Sequence, residues 1–342
     1  MTASQAEPLF DFRSDNVWGA SPEILAALSA ASAGPAVPYG ADDWSQRLEA
    51  RLAEIFETEL QVFPVATGSA ANALALAAMS PPWGVVYCHQ EAHVQVDECG
   101  APEFFTGGAK LLPLPGEHGK LRPETLEAAV FGSGVVHHPQ PAGVTLTQAS
   151  ECGTVYRPDE IAALSTLCRD RGLALHMDGA RFANALVGLD ATPAEMTWKA
   201  GIELLSFGGT KNGCLAAEAL VVFKPALAES LGFRRKRAGH LFSKMRFLSA
   251  QLLAYLEDDL WLANARRANA AAQALAAALQ AAGGKLVHPV EANEVFIELA
   301  PDLAQDLGRR GLLFLPWPAA GAEVYRFVTA FNMSVDSLPK VR

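Results

Sequence analysis

Apolar and polar positions along the chain fall into short apolar runs separated by longer stretches with helical spacing. The longer stretches predict helices at 69–79, 123–130 and 158–171. Runs that are apolar on both faces and alternate with helices are typical of a mostly parallel sheet covered on both sides. The apolar runs predict seven strands, at 60–65, 84–89, 109–114, 143–148, 172–177, 202–207 and 218–223.

The pattern changes after Lys224. Two long helices are predicted over 225–255 and 258–282, the second ending at Gly283-Gly284, and a further helix is predicted to begin at Ser21-Pro22. The stretches KLVHP, EVFIEL and VYRFVT then predict the strands of a small α+β unit around a helix at 301–310. We therefore predict a large domain over 51–255, a small C-terminal α+β domain over 256–342, and an N-terminal segment, 1–50, associated with the small domain.

Composition and charge exclude several classes of function. Half of the 342 residues are hydrophobic and 19% are charged, which is ample for a buried core, and the formal net charge of −10 argues against nucleic acid or an anionic membrane as partner. The five scattered cysteines form no CxxC pair, so we expect free thiols and no metal site. The stretch MTASQAEPLFDF does not resemble a signal peptide, and no apolar run is long enough to span a membrane, so a cytoplasmic protein is expected.

Four candidate functional groups follow predicted strands. Asp178 follows the strand 172–177, Lys211 in SFGGTKNG follows 202–207, and His93 follows 84–89. The turn TGS at 67–69 offers backbone N–H groups and the Ser69 hydroxyl to a phosphate. Because the carboxyl ends of parallel strands meet at one edge of a sheet, these groups are expected to share a crevice.

This set of groups matches the chemical needs of pyridoxal 5′-phosphate. Its aldehyde requires a side-chain amine, which lysine alone supplies, and its pyridine nitrogen requires a carboxylate to stay protonated. Its phosphate requires N–H and hydroxyl donors, and the glycines around Lys211 could let the backbone approach that phosphate. A histidine ring can stack on the face of the cofactor ring.

The same residues lie in segments that resemble low-specificity L-threonine aldolases, pyridoxal-phosphate enzymes of fold type I, the aspartate-aminotransferase fold. The resemblance covers roughly residues 10 to 335 and implies a large domain with a mostly parallel seven-stranded sheet between helices, plus a smaller α+β domain. The matching segments are FRSDN (12–16), PYGADD (38–43), ATGSAANAL (66–74), HVQVDECGA (93–101), LHMDGARFANAL (175–186) and FGGTKNG (207–213).

The resemblance implies a role for each cofactor-binding residue. Lys211 would bind the cofactor aldehyde covalently, and Asp178 would pair with the pyridinium nitrogen. Gly68 and Ser69, with Thr210, would bind the phosphate.

It also implies how the substrate is bound and how the chains assemble. Ser14, Arg181 and Arg326 would bind the substrate carboxylate, since the fork of an arginine matches a carboxylate. Tyr39 and Arg237, the latter in the basic cluster 234–237, would reach the cofactor of a neighbouring subunit. A homodimer or homotetramer with shared active sites is therefore expected.

The identity of the catalytic base stays open. His93 would stack on the cofactor ring and is one candidate, as is a water molecule. Two histidines that many relatives carry are replaced by Gln148 and Ala330, and Gln148 cannot accept the proton. His137 and His138 are further candidates.

The function implied by the resemblance is cleavage of L-threonine, L-allo-threonine or phenylserine to glycine and an aldehyde. Two alternatives remain. The first is another enzyme of the same fold, such as a β-eliminating amino-acid lyase or an aminotransferase, and the second is a catalytically dead scaffold.

Overall fold

The computed structural model describes residues 10–341. Residues 1–9 and Arg342 lie outside the described residues, and so does most of the N-terminal stretch that does not resemble a signal peptide. The strands are β1 (Phe10–Asp11), β2 (Gln61–Val65), β3 (Gly84–His89), β4 (Lys110–Leu114), β5 (Gln140–Thr147), β6 (Ala174–Gly179), β7 (Leu204–Gly208), β8 (Glu218–Val222), β9 (Lys285–Leu286), β10 (Glu294–Glu298), β11 (Leu312–Leu313), β12 (Leu315–Pro316) and β13 (Val324–Val328). The helices are α1 (Pro22–Ala31), α2 (Asp43–Phe56), α3 (Gly68–Met79), α4 (His93–Val96), α5 (Ala101–Thr106), α6 (Pro123–Ala129), α7 (Pro158–Arg171), α8 (Phe182–Leu189), α9 (Pro193–Met196), α10 (Leu231–Arg237), α11 (Arg246–Leu256), α12 (Leu260–Ala281) and α13 (Pro301–Arg309).

A seven-stranded sheet in the order β2-β8-β7-β6-β5-β3-β4 forms the centre of the molecule. All seven predicted strands are confirmed, and only β8 runs antiparallel to its neighbours within this sheet. Val85 and Val221 pack in one apolar cluster, whereas Val86 and Val222 pack in another. Alternate residues therefore bury opposite faces of the sheet, which explains why the strands are apolar on both faces.

Local sequence signals fix the helices that flank this sheet. The side chain of Thr67 accepts the N–H of Ala70 over 3.2 Å and so caps α3, and Pro158 begins α7. Gly172 ends α7 in a left-handed conformation, with φ of 68°. The helices predicted at 69–79, 123–130 and 158–171 are confirmed to within a residue.

The long helix predicted over 225–255 is wrong. The structure has a short turn at Pro225–Leu227, then α10, a non-helical segment, and α11. Gly239 adopts a φ of 78°, which a right-handed helix does not allow, so the chain leaves the helix there. The helical composition of the stretch hid these interruptions.

A smaller four-stranded sheet in the order β12-β13-β10-β9 follows α12. It buries Val295, Ile297 and Phe327 against α12 and α13. The N-terminal β1 pairs in parallel with β11, so residues 10 and 11 contact this part of the chain. Within residues 10–341, none of the helices is both long and apolar enough to cross a bilayer.

Candidate active site

A cleft of about 240 Å³ lies at the carboxyl ends of the parallel strands. A larger and more open depression, about 690 Å³, lies at the opposite edge and contains the segments that precede β6 and β7. The smaller cleft is the candidate site, because open parallel sheets bind ligands at the carboxyl ends of their strands. It is lined by Asn16, Ala66, Thr67, Gly68, Ser69, Asn72, His93, Asp178, Ala180, Thr210, Lys211 and Glu218.

Lys211 lies in a single 3₁₀ turn, Thr210–Asn212, directly after β7. The next residue, Asn212, anchors this turn: its amide nitrogen donates to the Tyr255 hydroxyl over 2.7 Å and to the Trp261 carbonyl over 2.8 Å. Asn264 donates in turn to the Asn212 carbonyl over 3.0 Å. These buried hydrogen bonds fix the backbone that carries the lysine.

The glycines before Lys211 pack closely against backbone. A Cβ on Gly208 would lie 2.6 Å from the Ala180 carbonyl oxygen, and one on Gly209 would lie 2.6 Å from that of Ala217. Both glycines are therefore required for close packing of the chain against its own backbone. That the backbone here also approaches a phosphate stays a prediction.

Glu218, at the start of β8, is a buried carboxylate beside Lys211. It accepts the N–H groups of Gly209 over 3.1 Å and Thr210 over 3.3 Å. Burial raises the pKa of Glu218 to about 7, although these hydrogen bonds and the charge of Lys211 oppose the shift. Glu218 thus holds the turn that carries Lys211.

The N-terminus of α3 opens into the same cleft. The first N–H groups of a helix have no partner within the helix, so those of Gly68 and Ser69 are available to an anion. A Cβ added to Gly68 would meet nothing within 4 Å, so there is open space beside these donors. Thr210 lies across the cleft, and its hydroxyl already accepts the Ala217 N–H over 3.2 Å.

Asp178 and His93 are connected by buried hydrogen bonds. The amide nitrogen of Asn72 donates to Asp178 Oδ2 and to Glu98 Oε1, both over 2.8 Å. The same Glu98 oxygen lies 2.8 Å from Nδ1 of His93, and Ala180 N–H donates to Asp178 Oδ1 over 3.0 Å. The network fixes the aspartate and the histidine relative to each other.

Glu98 engages Nδ1 of His93 and so bears on which ring nitrogen carries the proton. The hydrogen bond to Glu98 raises the pKa of His93, and burial raises the pKa of Glu98. An ionised Glu98 accepts the Nδ1 proton, which leaves Nε2 as the proton acceptor of the neutral imidazole. With Glu98 ionised, this contact favours the tautomer of His93 in which Nε2 accepts a proton.

The two residues that replace the family's histidines, and the two further histidine candidates for the base, are not among the lining residues of the cleft. Gln148 is fully buried and binds the backbone of Tyr156 through both its amide oxygen and its amide nitrogen. Ala330 is buried. His137 and His138 are exposed in the loop before β5, at the opposite edge of the sheet from the cleft.

Arg181 is buried and already has a carboxylate partner. Its Nε and Nη2 donate to Asp15 over 2.8 and 3.1 Å, and Asn293 donates to Asp15 over 3.1 Å. Burial favours the neutral form of Asp15, but the charges of Arg181 and Lys211 outweigh it and lower the pKa of Asp15. Ser14 lies beside this pair, and its Oγ accepts the Asn16 N–H over 3.1 Å.

Arg326 approaches the same cluster from β13. Its guanidinium lies 4.7 Å from the centre of the Trp317 ring, and its Nη2 donates to the Arg13 carbonyl over 3.2 Å. Glu294 lies between the two arginines, with Oε2 at 3.4 Å from Arg181 Nη1 and Oε1 at 3.9 Å from Arg326 Nη1. Ser14, Arg181 and Arg326 thus lie together beside the cleft but are not among its lining residues.

Tyr39 and Arg237 lie on the surface, away from the cleft of their own chain. Tyr39 is half exposed, with a positive φ of 60°, and the Lys236 ammonium lies 5.1 Å from the centre of its ring. Arg237 is exposed at the end of α10. Tyr39 thus contacts α10, the helix that ends at Arg237.

Five buried polar residues of the site were not predicted as site residues. Their sequence signal is position: four of them fall inside or next to segments that resemble the aldolases, whereas Glu294 falls in an ordinary strand pattern. They are Asp15, Asn72, Glu98, Glu218 and Glu294.

Comparison with known proteins agrees with this geometry. The Beta-eliminating lyase family matches residues 11–302. A low specificity L-threonine aldolase from a Pseudomonas species is 46% identical over 94% of this chain and 92% of its own length. The structure of a Leishmania major threonine aldolase superposes with a TM-score of 0.90 at 27% identity over 96% of each chain. An aspartate aminotransferase variant from Thermus thermophilus, at 17% identity and a TM-score of 0.71 over 98% of this chain and 95% of its own, shares the fold.

Proposed function

The chain belongs to the Beta-eliminating lyase family and, within it, to the low-specificity L-threonine aldolases; from this premise we propose that it cleaves L-threonine and related β-hydroxy-α-amino acids to glycine and an aldehyde. The observation that carries the proposal is that one cleft contains Lys211, Asp178, His93 and the N-terminus of α3. The chain is thus a carbon–carbon lyase with the fold of the type I enzymes.

We propose pyridoxal 5′-phosphate as the cofactor, and the residues of the cleft fit it. Open space beside the N–H groups of Gly68 and Ser69 suits a phosphate, and Asp178 suits a pyridinium nitrogen. Lys211 supplies the amine, and among the described residues it is the one lysine that lines the cleft. When bound, the cofactor provides a cationic ring that accepts electrons from the bond being broken.

His93 would carry the proton transfer. Nδ1 is engaged by Glu98, so Nε2 is free to accept the proton of the substrate β-hydroxyl as the aldehyde leaves. Asn72 keeps Glu98 and Asp178 in place, because one amide group donates to both carboxylates. The same network prevents His93 from turning its Nδ1 toward the cleft.

Arg181 and Arg326 would bind the substrate carboxylate, with Ser14 adding a hydroxyl. Carboxylate binding at one end of the substrate and His93 at the other would orient the Cα–Cβ bond. Such orientation accelerates cleavage of that bond, because the reacting groups are already held in the required geometry. The buried pair of Arg181 and Asp15 fixes the first arginine before substrate arrives.

The test is a panel of β-hydroxy amino acids, including threonine, allo-threonine and phenylserine, assayed with pyridoxal phosphate for glycine and aldehyde. Release of both products in equal amounts is the expected result. Ammonia and a keto acid from cysteine, serine or tryptophan would instead identify a β-eliminating lyase. A chain that cannot take up the cofactor would support the scaffold alternative.

We also propose a homodimer or homotetramer in which Tyr39 and Arg237 reach the cofactor of a neighbouring chain, and a cytoplasmic location. Exposed Tyr39 and Arg237, both outside the cleft of their own chain, support the shared site. Light scattering gives the number of chains. Mixed oligomers of Lys211→Ala and Arg237→Ala chains then test sharing. Activity recovers on mixing only if Lys211 of one chain and Arg237 of the other chain act in the same site.

A further inference from the structure

Glu294 occupies an unusual position for a carboxylate. In the pairing of β10 with β13, Phe296 lies opposite Arg326, so Glu294 lies diagonally from Arg326 on the same face of the small sheet. Its side chain is fully buried. It thus reaches, from inside the protein, the two arginines that are proposed to bind the substrate carboxylate.

The contacts of Glu294 are loose, whereas those of Asp15 are tight. Asp15 engages Arg181 through two hydrogen bonds, at 2.8 and 3.1 Å. Neither carboxylate oxygen of Glu294 has a hydrogen-bond partner within residues 10–341, although the Nη1 atoms of Arg181 and Arg326 lie 3.4 and 3.9 Å away. Glu294 therefore faces the arginine nitrogens that Asp15 does not use.

The charges of the cluster balance without substrate and no longer balance with it. Two arginines and two carboxylates give the cluster no net charge when Glu294 and Asp15 are both ionised, and a substrate carboxylate adds a third anion. Glu151 also acts on Glu294 as a like charge, and Cys152 and the backbone of Gly153 pack close to it. A third buried anion is costly unless one carboxylate becomes neutral.

We propose that Glu294 is an internal carboxylate that competes with the substrate carboxylate for Arg181 and Arg326, so that substrate binding is coupled to protonation of Glu294. The inference rests on the proposed function only in its assignment of the carboxylate to these arginines. Glu294 is a positioning residue in this scheme, since it acts through the arginines.

The electrostatic environment supports this coupling. Burial raises the pKa of Glu294 to about 7, Arg181 and Arg326 oppose that rise, and Glu151 and Asp15 add to it. A bound substrate carboxylate is one more negative charge and raises the pKa of Glu294 further. Binding therefore takes up a proton above about pH 7, and affinity for carboxylates falls as the pH increases through that range.

The test measures binding of 3-hydroxybutyrate, which has the carboxylate and β-hydroxyl of threonine but no amine, to the cofactor-loaded protein by calorimetry. The wild-type affinity is expected to fall about tenfold between about pH 6.5 and pH 8.5. Uptake of one proton on binding changes the affinity by at most about tenfold per pH unit. Glu294→Gln is expected to bind about tenfold more tightly than wild type at about pH 8.5 and to lose most of this pH dependence.

Glu298→Gln is the matched control, because Glu298 is an exposed carboxylate on the same strand. It should behave as wild type. Pairs of buffers with different ionisation enthalpies give the protons taken up by the wild-type protein, expected to approach one at about pH 8. Burial also raises the pKa of Glu218 to about 7, and the hydrogen bond to Glu98 raises the pKa of His93. Proton uptake that persists in both Glu218→Gln and His93→Asn therefore decides the question even if Glu294→Gln does not fold.

Wild-type binding that does not depend on pH, no proton uptake, no detectable binding, or unchanged or weaker binding by folded Glu294→Gln would each overturn the inference. Because calorimetry requires no turnover, it separates the two proposals. A protein that binds 3-hydroxybutyrate with proton uptake but releases no aldehyde from threonine contradicts the proposed function alone. Cleavage of threonine with pH-independent binding contradicts the role of Glu294 alone.

Discussion

The cleft and the adjacent arginine cluster are built in different ways. Lys211 and His93 follow strands of the mostly parallel sheet and Asp178 is the next-to-last residue of β6, so their order along the chain already places them at one edge. The cluster combines Asp15, Arg181, Glu294 and Arg326 from the N-terminal segment, the large sheet and the small sheet. The first kind of site follows from local pattern, whereas the second requires segments far apart in sequence to meet.

The interior of the large sheet and the arginine cluster treat charge differently. Below Asp178, the sheet buries His176 between hydroxyl groups, with Nδ1 at 2.8 Å from Thr145 and Nε2 at 3.0 Å from Ser206. Burial lowers the pKa of His176 to about 4, so this residue is neutral at pH 7. The cluster instead buries several charges that compensate one another. The comparison predicts that changes in the cleft alter chemistry, that changes in the sheet interior alter stability, and that changes in the cluster alter both stability and the proposed binding of the substrate carboxylate.

The largest effect is expected for Lys211→Ala. Loss of the amine should reduce threonine cleavage by at least about 10³-fold, as removal of a covalent catalytic group does in other enzymes. The melting temperature without cofactor should change little, because Asn212 and Glu218 hold the turn. Steady-state kinetics and thermal melting are the measurements. The control is Lys199→Ala, which removes an exposed lysine paired with Glu57; cleavage by Lys211→Ala at the wild-type rate would exclude its assigned role.

His93→Asn should slow cleavage by roughly 10²-fold, the lower range for loss of a general base. The dissociation constant of the cofactor should change much less if the ring acts mainly in proton transfer. Kinetics and cofactor titration separate the two effects, with exposed His137→Asn as control. If instead cofactor affinity falls while the rate at saturation is unchanged, His93 acts by stacking and the base lies elsewhere.

Asp15→Asn should reduce the free energy of unfolding by about 3 kcal/mol, because it leaves the buried Arg181 charge only loosely paired. Asp306→Asn is the control, since Asp306 pairs with Arg309, the side chains of both are largely exposed, and such pairs contribute at most about 1 kcal/mol. Urea unfolding of both variants measures the difference. Equal losses would mean that the buried cluster behaves like a surface pair.

The smallest effect is expected from the pH dependence of His176. Its pKa is lower in the folded than in the unfolded chain, so the unfolded chain binds more protons below about pH 6.5 and stability falls as the pH decreases toward 4. This residue should remove about 2 kcal/mol between pH 7 and pH 5. Urea unfolding of wild type and His176→Gln at both pH values measures it. The same pH dependence in both proteins would show that His176 is not the responsible group.

Much of the fold could be predicted from local pattern. All seven strands of the large sheet and the helices with strong capping signals were predicted, since alternating burial and end signals act within a few residues. The helix over 225–255 was wrong because the chain leaves the helix after Leu227 and again near Gly239, whose positive φ outweighs the helical composition around it. The domain boundaries at 50/51 and 255/256 and the roles of the site residues remain predictions.

The sequence by itself determined the order of elements, the covering of the sheet on both faces and the strand-end position of Lys211, Asp178 and His93, because these depend on neighbouring residues. Only the tertiary structure decided that Gly208 and Gly209 pack against backbone, that Glu98 orients His93, and that Glu294 lies between Arg181 and Arg326. The physical reason is the distance along the chain over which each interaction acts. Propensity and periodicity act over a few residues, whereas hydrogen bonds and buried charges connect segments that only folding brings together.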